Sequence, residues 1–222
     1  LPLDVLEAAW TAKLDPVFPT ATAGEAAAIP VIRHDKRATR TRATPTIARP
    51  RVFIPVFPGT NCEYDSVGAF AKAGAVTDVF VFNNLSARDI DASVHEMEKR
   101  IRNSQIIMLP GGFSAGDEPE GSGKFIATVF RNMLLQDAVS DLLQNRDGLM
   151  MGICNGFQAL VKLGLLPGGS IAPLTAQSPT LSFNRIGRHV SSLVRTKNVS
   201  VKSPWMLKEE LDDIRWVPVS HG

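Results

Sequence analysis

The chain has 222 residues, 44% of them hydrophobic, 21% charged and 7% aromatic, with 24 Lys and Arg against 22 Asp and Glu for a net charge of +2. That length supports one large or two small domains around a packed core, and the composition excludes disordered, collagen-like and low-complexity architectures for the body of the chain. No uncharged apolar run approaches the roughly 20 residues that span a bilayer, and the N-terminus lacks the order of a signal peptide, so the reading is a soluble, cytoplasmic protein without a membrane partner.

Residues 1–50 and 51–222 differ in character. Leu3 to Leu14 (LDVLEAAWTAKL) spaces its apolar residues as a short amphipathic helix, and the chain then passes Pro16, Pro19, an Ala/Thr-rich stretch, Pro45 and Pro50. Such a stretch buries too little apolar area to fold alone, so it reads as a linker whose helix packs on something before or beside it. Arg33 to Arg42 (RHDKRATRTR) holds five basic residues and one acid, a local +4 that leaves −2 for the remainder. No aromatic residue interleaves these charges, which fits a solvated linker and not a nucleic-acid surface. A first residue of Leu instead of Met points to a fragment or a processed chain.

From Arg51 the apolar period alternates between strand and helix. Val52 to Phe57, Val76 to Phe82, Gln105 to Leu109 and Leu149 to Ile153 read as strands. Tyr64 to Ala73, Ser86 to Arg102 with Ser86 as N-cap, Lys124 to Leu143 in one piece or two, and Asn155 to Leu163 ended by Gly164 read as helices. Four such alternations with short connections specify an α/β fold, a mostly parallel sheet flanked by helices on both faces. Beyond Pro167, the segments Thr180 to Phe183, Val190 to Val194 and Val199 to Val201 are candidate strands added to the same sheet. Open parallel sheets gather reactive groups at the carboxyl ends of their strands. Three strand ends here carry unusual loops, all facing one side: Pro58-Gly59-Thr60-Asn61-Cys62, Pro110-Gly111-Gly112-Phe113-Ser114 and Gly152-Ile153-Cys154-Asn155-Gly156.

Two cysteines in a chain without secretion signals are free or catalytic thiols more readily than a disulfide. The stretch Gly152 to Gly156 has the strand, sharp turn, helix order of a nucleophile elbow with Cys in place of Ser. Its glycines admit a strained backbone at 154 and close packing of helix on strand, and the positive end of the helix dipole favours a thiolate. Cys154 is therefore the candidate nucleophile, against the plainer role of a small buried hydrophobe. Cys62 also follows a strand, but Glu63 and Asp65 beside it raise a thiol pKa, so its role reads as structural or supporting. Attack on an amide generates an oxyanion that backbone N–H groups stabilise. Gly112 or Phe113 offers one donor and Asn155 the other, with a plain glycine turn as the competing reading.

Other motifs fail on one residue. In the stretch before Lys124, Glu118 stands where a phosphate loop needs its first glycine, and Phe125 stands where Ser or Thr would hold magnesium, so no ATP site is expected. His95-Glu96 opens like a zinc helix, yet Lys99 occupies the place of the second His, and no metal site is expected. Among the histidines, His34 lies in the linker, His95 on a surface helix, and His189 is as readily a polar contact as a catalyst. Spacing alone makes His221 the leading base candidate.

The stretches GICNGFQ around Cys154, PGGFSAGD, FPGTNCE, SPTLSFNRIGRHVS and PVSHG together make residues 51–222 resemble the class I (triad) glutamine amidotransferases. Within them, the resemblance is to the glutaminase part of the phosphoribosylformylglycinamidine (FGAM) synthases of purine biosynthesis. It implies a flavodoxin-like fold, with residues 1–50 as the tail and linker of a preceding synthetase portion. It implies that Cys154 attacks the side-chain amide of glutamine to give a glutamyl thioester and ammonia, and that water then releases glutamate. Gly112, Phe113 and Asn155 match oxyanion-hole and glutamine-cradling positions, and Gln158 matches a residue lining the glutamine pocket. Ammonia passes through protein to the synthetase portion, the implied partner, which holds ATP and magnesium; no cofactor is implied for this domain. The family's triad His and Glu lie in a Pro-His-Pro-Glu segment beyond the PVSHG strand, which the sequence does not reach. His221 matches a different, upstream His, so the expectation is a C-terminally incomplete domain that hydrolyses glutamine poorly alone. Two readings compete: a cysteine-elbow hydrolase or chaperone of similar architecture, and a non-catalytic module that docks on a synthetase.

Overall fold

In the computed structural model, which describes residues 2–12, 17, 32–36, 47–113, 123–206 and 208–222, the chain opens with helix α1 (Leu3–Ala12), whose Leu3, Val5, Leu6 and Trp10 are exposed. Lys13, Leu14 and most of the basic cluster, 37–42, lie outside the described residues. The described chain forms two compact units, Thr44–Ser182, and Leu1–Ala43 with Phe183–Gly222.

The larger unit holds the alternation read from the sequence. Strands β1 (Arg51–Val56), β2 (Val76–Val81), β3 (Ile106–Leu109) and β4 (Leu149–Gly152) form one parallel sheet in the order β2-β1-β3-β4. A doubly wound sheet of this order has its topological switch between β1 and β3, where the loops after the two strands diverge to opposite sides. Arg51 O accepts from Gln105 N at 3.0 Å, so residues 51, 53 and 55 face β3. Pro55 brings no N–H to that side, and the ladder with β3 covers only Val52 and Phe53, while that with β2 covers all six residues of β1.

Side chains alternate across this sheet and both faces are buried. Phe53, Ile107 and Leu109 join the main core, with Val94, Met97 and Ile101 of α3 (Ala87–Arg102) and apolar residues of α4 (Lys124–Phe130), α5 (Met133–Ser140) and α6 (Asn155–Lys162). Val52, Ile54 and Met108 face the other way, against Val67 and Phe70 of α2 (Glu63–Lys72). Ser86 caps α3 as its spacing predicts: its hydroxyl accepts from Asp89 N at 3.2 Å. The span Lys124 to Leu143 is two helices because Asn132 adopts extended backbone and caps α5, its Oδ1 accepting from Leu134 N at 3.0 Å; a π turn, Asp141–Asn145, follows.

The later strands differ from expectation. Val190–Lys197 (β5) pairs antiparallel with Ile214–His221 (β6) in a separate two-stranded sheet and does not extend the parallel one. Its sequence VSSLVRTK is too polar for a strand buried on both faces. Thr180 to Phe183 forms no strand, and Val199 to Val201 contributes one isolated parallel bridge, Ser200 to His34. Arg33 makes a fork of two bonds to Asp212, 2.9 and 2.8 Å, within this unit, and Lys197 reaches the same carboxylate at 2.8 Å.

Candidate active site

Cys154 joins β4 to α6 at φ 52°, ψ −111°, a region that costs a non-glycine residue of order 1–3 kcal/mol and persists only where its surroundings impose it. The surroundings are backbone. Ile153 N donates to Leu109 O (3.1 Å), Gly156 N to Ile153 O (2.9 Å) and Gln158 N to Cys154 O (3.0 Å). A Cβ on Gly156 would lie 2.1 Å from Leu109 O, and one on Gly152 2.5 Å from Gly156 O, so α6 rides on the end of β3 with no room for a side chain. The result holds Cys154 out as an exposed residue, while Asn155 beside it is 1% exposed. The Asn155 amide donates to Gln158 Oε1 at 3.3 Å, which brings Cys154, Asn155 and Gln158 together in the first turn of α6.

The loop after β3 reaches the same place. Gly112, at φ 137°, bridges Thr60 of the loop after β1: Asn61 N donates to Gly111 O (3.3 Å) and Phe113 N to Gly59 O (2.8 Å). The Phe113 N–H is engaged within the protein, whereas the Gly112 N–H makes no hydrogen bond among the described residues. The Phe113 side chain is 54% exposed. Ser114, Glu118, Gly121 and Ser122 lie outside the described residues.

A Cβ built on Gly111 would stand 3.3 Å from Cys154 Cβ and 3.4 Å from Cys62 Sγ, so all three strand-end loops meet at that glycine. The Cys62 thiol donates to Asn61 Oδ1 at 3.1 Å and titrates above its ordinary value. Burial is the largest cause, followed by the charges of Asp65, Cys154 and Glu63. The sequence pointed to the carboxylates; the larger cause, loss of water around the sulfur, depends on tertiary packing. Glu63 Oε2, in the first turn of α2, is buried without a hydrogen-bond partner among the described residues. The contacts of Asn61 and Gly59 come from a pairing across some fifty residues of chain that no local pattern encodes.

Three histidines have side-chain partners within their own units. His95 is the one histidine of the larger unit, and its Nδ1 lies 2.9 Å from Asp91 O on its own helix. In the smaller unit, His189 Nε2 lies 2.8 Å from Ser220 Oγ, and His221 Nδ1 2.7 Å from Asn184 Oδ1. Among the described residues no three His, Cys, Asp or Glu converge on a metal-binding arrangement, and no helix is long and apolar enough to cross a membrane.

The CobB/CobQ-like glutamine amidotransferase domain family matches residues 49–222. The chain belongs to this family. This amidotransferase domain is 32% identical over 182 residues to the phosphoribosylformylglycinamidine synthase subunit PurQ of Methanococcus maripaludis, covering 78% of this chain and 58% of that protein. It is 35% identical over 166 residues to the same subunit of Dehalococcoides mccartyi, covering 74% and 58%. It thus spans less than two thirds of the length of these curated relatives. Among solved structures, PurLQS from Thermotoga maritima superposes with a TM-score of 0.52 at 26% identity, over 78% of this chain and 67% of that one. The class I amidotransferase fold and the parallel sheet described above agree, and the match gives no support of its own to a hydrolase or a docking module.

Proposed function

We propose that this amidotransferase domain is the glutaminase part of an FGAM synthase, releasing ammonia from glutamine for ATP-dependent amidine formation on a separate synthetase portion. The observation that carries the reading is Cys154, exposed on a strained backbone between two obligatory glycines, with the Gly111-Gly112 loop against it. The names of the relatives point to the synthase, and the family's description points to glutamine as the amide donor.

In this reading the Cys154 sulfur attacks the amide carbon of glutamine, a C–S bond forms, and the carbonyl oxygen becomes an oxyanion. The Gly112 N–H, with the backbone of Asn155 at the start of α6, stabilises that charge. Collapse of the adduct breaks the C–N bond, and the leaving nitrogen takes a proton to depart as ammonia. Water then cleaves the thioester to release glutamate. Asn155 and Gln158, joined to each other, and Phe113 face the glutamine side chain. His221, with Nδ1 engaged by Asn184, is left out of the reading as base. Residues 51–222 act as one amidotransferase domain after a linker, in the cytoplasm, with no cofactor of its own; ATP and magnesium belong to the synthetase partner.

The test is labelling by an electrophilic glutamine analogue. Modification of Cys154 that free glutamine prevents supports the proposal, and modification indifferent to glutamine overturns it. In the parent synthase, Cys154→Ala is expected to abolish glutamine-dependent amidine formation while leaving the reaction with added ammonia.

A further inference from the structure

We infer that Cys62 and Cys154 form a reversible disulfide when a hydroperoxide oxidises the protein, Cys154 being attacked first and Cys62 resolving it. The inference rests on the placement of two sulfur-bearing residues against the same glycine, Gly111. From the point a side chain would occupy there, Cys62 Sγ is 3.4 Å away and Cys154 Cβ 3.3 Å. Because Gly111 carries no side chain at that point, the two cysteines have room to approach the Cβ separation of roughly 3.5–4.5 Å that a disulfide requires, while rotation about their Cα–Cβ bonds turns the sulfurs toward each other. The charge of Cys154 is among the causes that raise the titration of Cys62, a second sign of this proximity.

The two residues differ in the way such a pair needs. Cys154 is exposed and meets oxidant directly, while Cys62 is partly buried and hydrogen-bonded, which shields it from first attack. The Cys154 sulfur attacks the peroxide, an S–O bond forms as the O–O bond breaks, and the leaving oxygen takes the thiol proton and departs as water from hydrogen peroxide or as an alcohol from an organic hydroperoxide, giving the sulfenic acid. The Cys62 sulfur then attacks the Cys154 sulfur, an S–S bond forms as the S–O bond breaks, and the hydroxyl leaves with the Cys62 proton as water. Each sulfur ends one electron more oxidised, the peroxide is reduced, and a dithiol reverses the change by exchange. The bridge removes Cys154 from reaction and spares it the irreversible sulfinic state.

Because the sequence holds only two cysteines, any intrachain disulfide is this one. The 222-residue chain is treated with equimolar hydrogen peroxide and mapped without reduction. The expected result is a cross-linked pair of peptides containing Cys62 and Cys154, an intact mass lower by two hydrogens, and full recovery with dithiothreitol. In Cys62→Ser, two equivalents of hydrogen peroxide are expected to add two oxygens at Cys154, not recovered by dithiothreitol, and in Gly111→Ala the inserted methyl slows the cross-link. Sulfinic acid at Cys154 of the unaltered chain with Cys62 still free, cross-links only between chains, or no oxidation at either residue overturns the inference. The readout is mass and not turnover, so its outcome is separate from that of the glutaminase reading.

Discussion

Two loops of the larger unit start from the same material and end with different thiols. Cys62 and Cys154 each follow a parallel strand and each stand at the cap of a helix, Cys62 at φ −113° and Cys154 at φ 52°. The 154 loop lies between glycines that let α6 press on β3, which lifts the cysteine into the open. The 62 loop has no such constraint, and its cysteine settles inward against the Asn61 acceptor, where burial, followed by the charges of Asp65, Cys154 and Glu63, raises its titration. A cysteine after a strand is therefore not a site; the backbone beneath it decides whether sulfur faces solvent or protein.

The largest effect expected from breaking this contrast is Cys154→Ala, which should abolish labelling by the electrophilic glutamine analogue, while Cys62→Ala keeps it; loss of labelling in the second variant alone would reverse the two roles. Next comes the platform. Gly156→Ala forces a methyl to 2.1 Å from a backbone oxygen and is expected to cost about 3 kcal/mol, read from the urea midpoint. Gly68→Ala, in α2 with nothing within 4 Å of the added atom, should instead stabilise by roughly 0.5–1 kcal/mol. The smallest effect is in pH. In the Cys154→Ala chain, alkylation of Cys62 should rise only as pH passes above 9.0, the ordinary value from which its titration is raised. A folded-state value above the unfolded one means that the stability this thiol contributes is complete below 9.0 and is lost as pH climbs through the raised value, a slope that Cys62→Ser should erase.

Much of this larger unit was legible in the sequence because its signals are local. The four strands, the Ser86 cap and the glycine spacing around Cys154 each depend on residues a few positions apart. What stayed hidden was long-range. The bridge between Thr60 and Gly112 engages the Phe113 N–H and leaves that of Gly112, and nothing near either residue encodes the pairing. The split at Asn132 turned on one capping side chain within an apolar run that also fits a single helix. Past Pro167 the short apolar segments had no helices between them, so periodicity could propose strands without saying which neighbour they join; β5 found β6.

The seating of α6 on the Leu109 carbonyl also divides the elbow for anyone who would redesign it. A saturation library at 152 or 156 should return almost only the parental glycine. Ile153, Phe157 and Phe113 are 53%, 40% and 54% exposed, so they can be exchanged freely enough to reshape what approaches the sulfur without disturbing the platform that holds it.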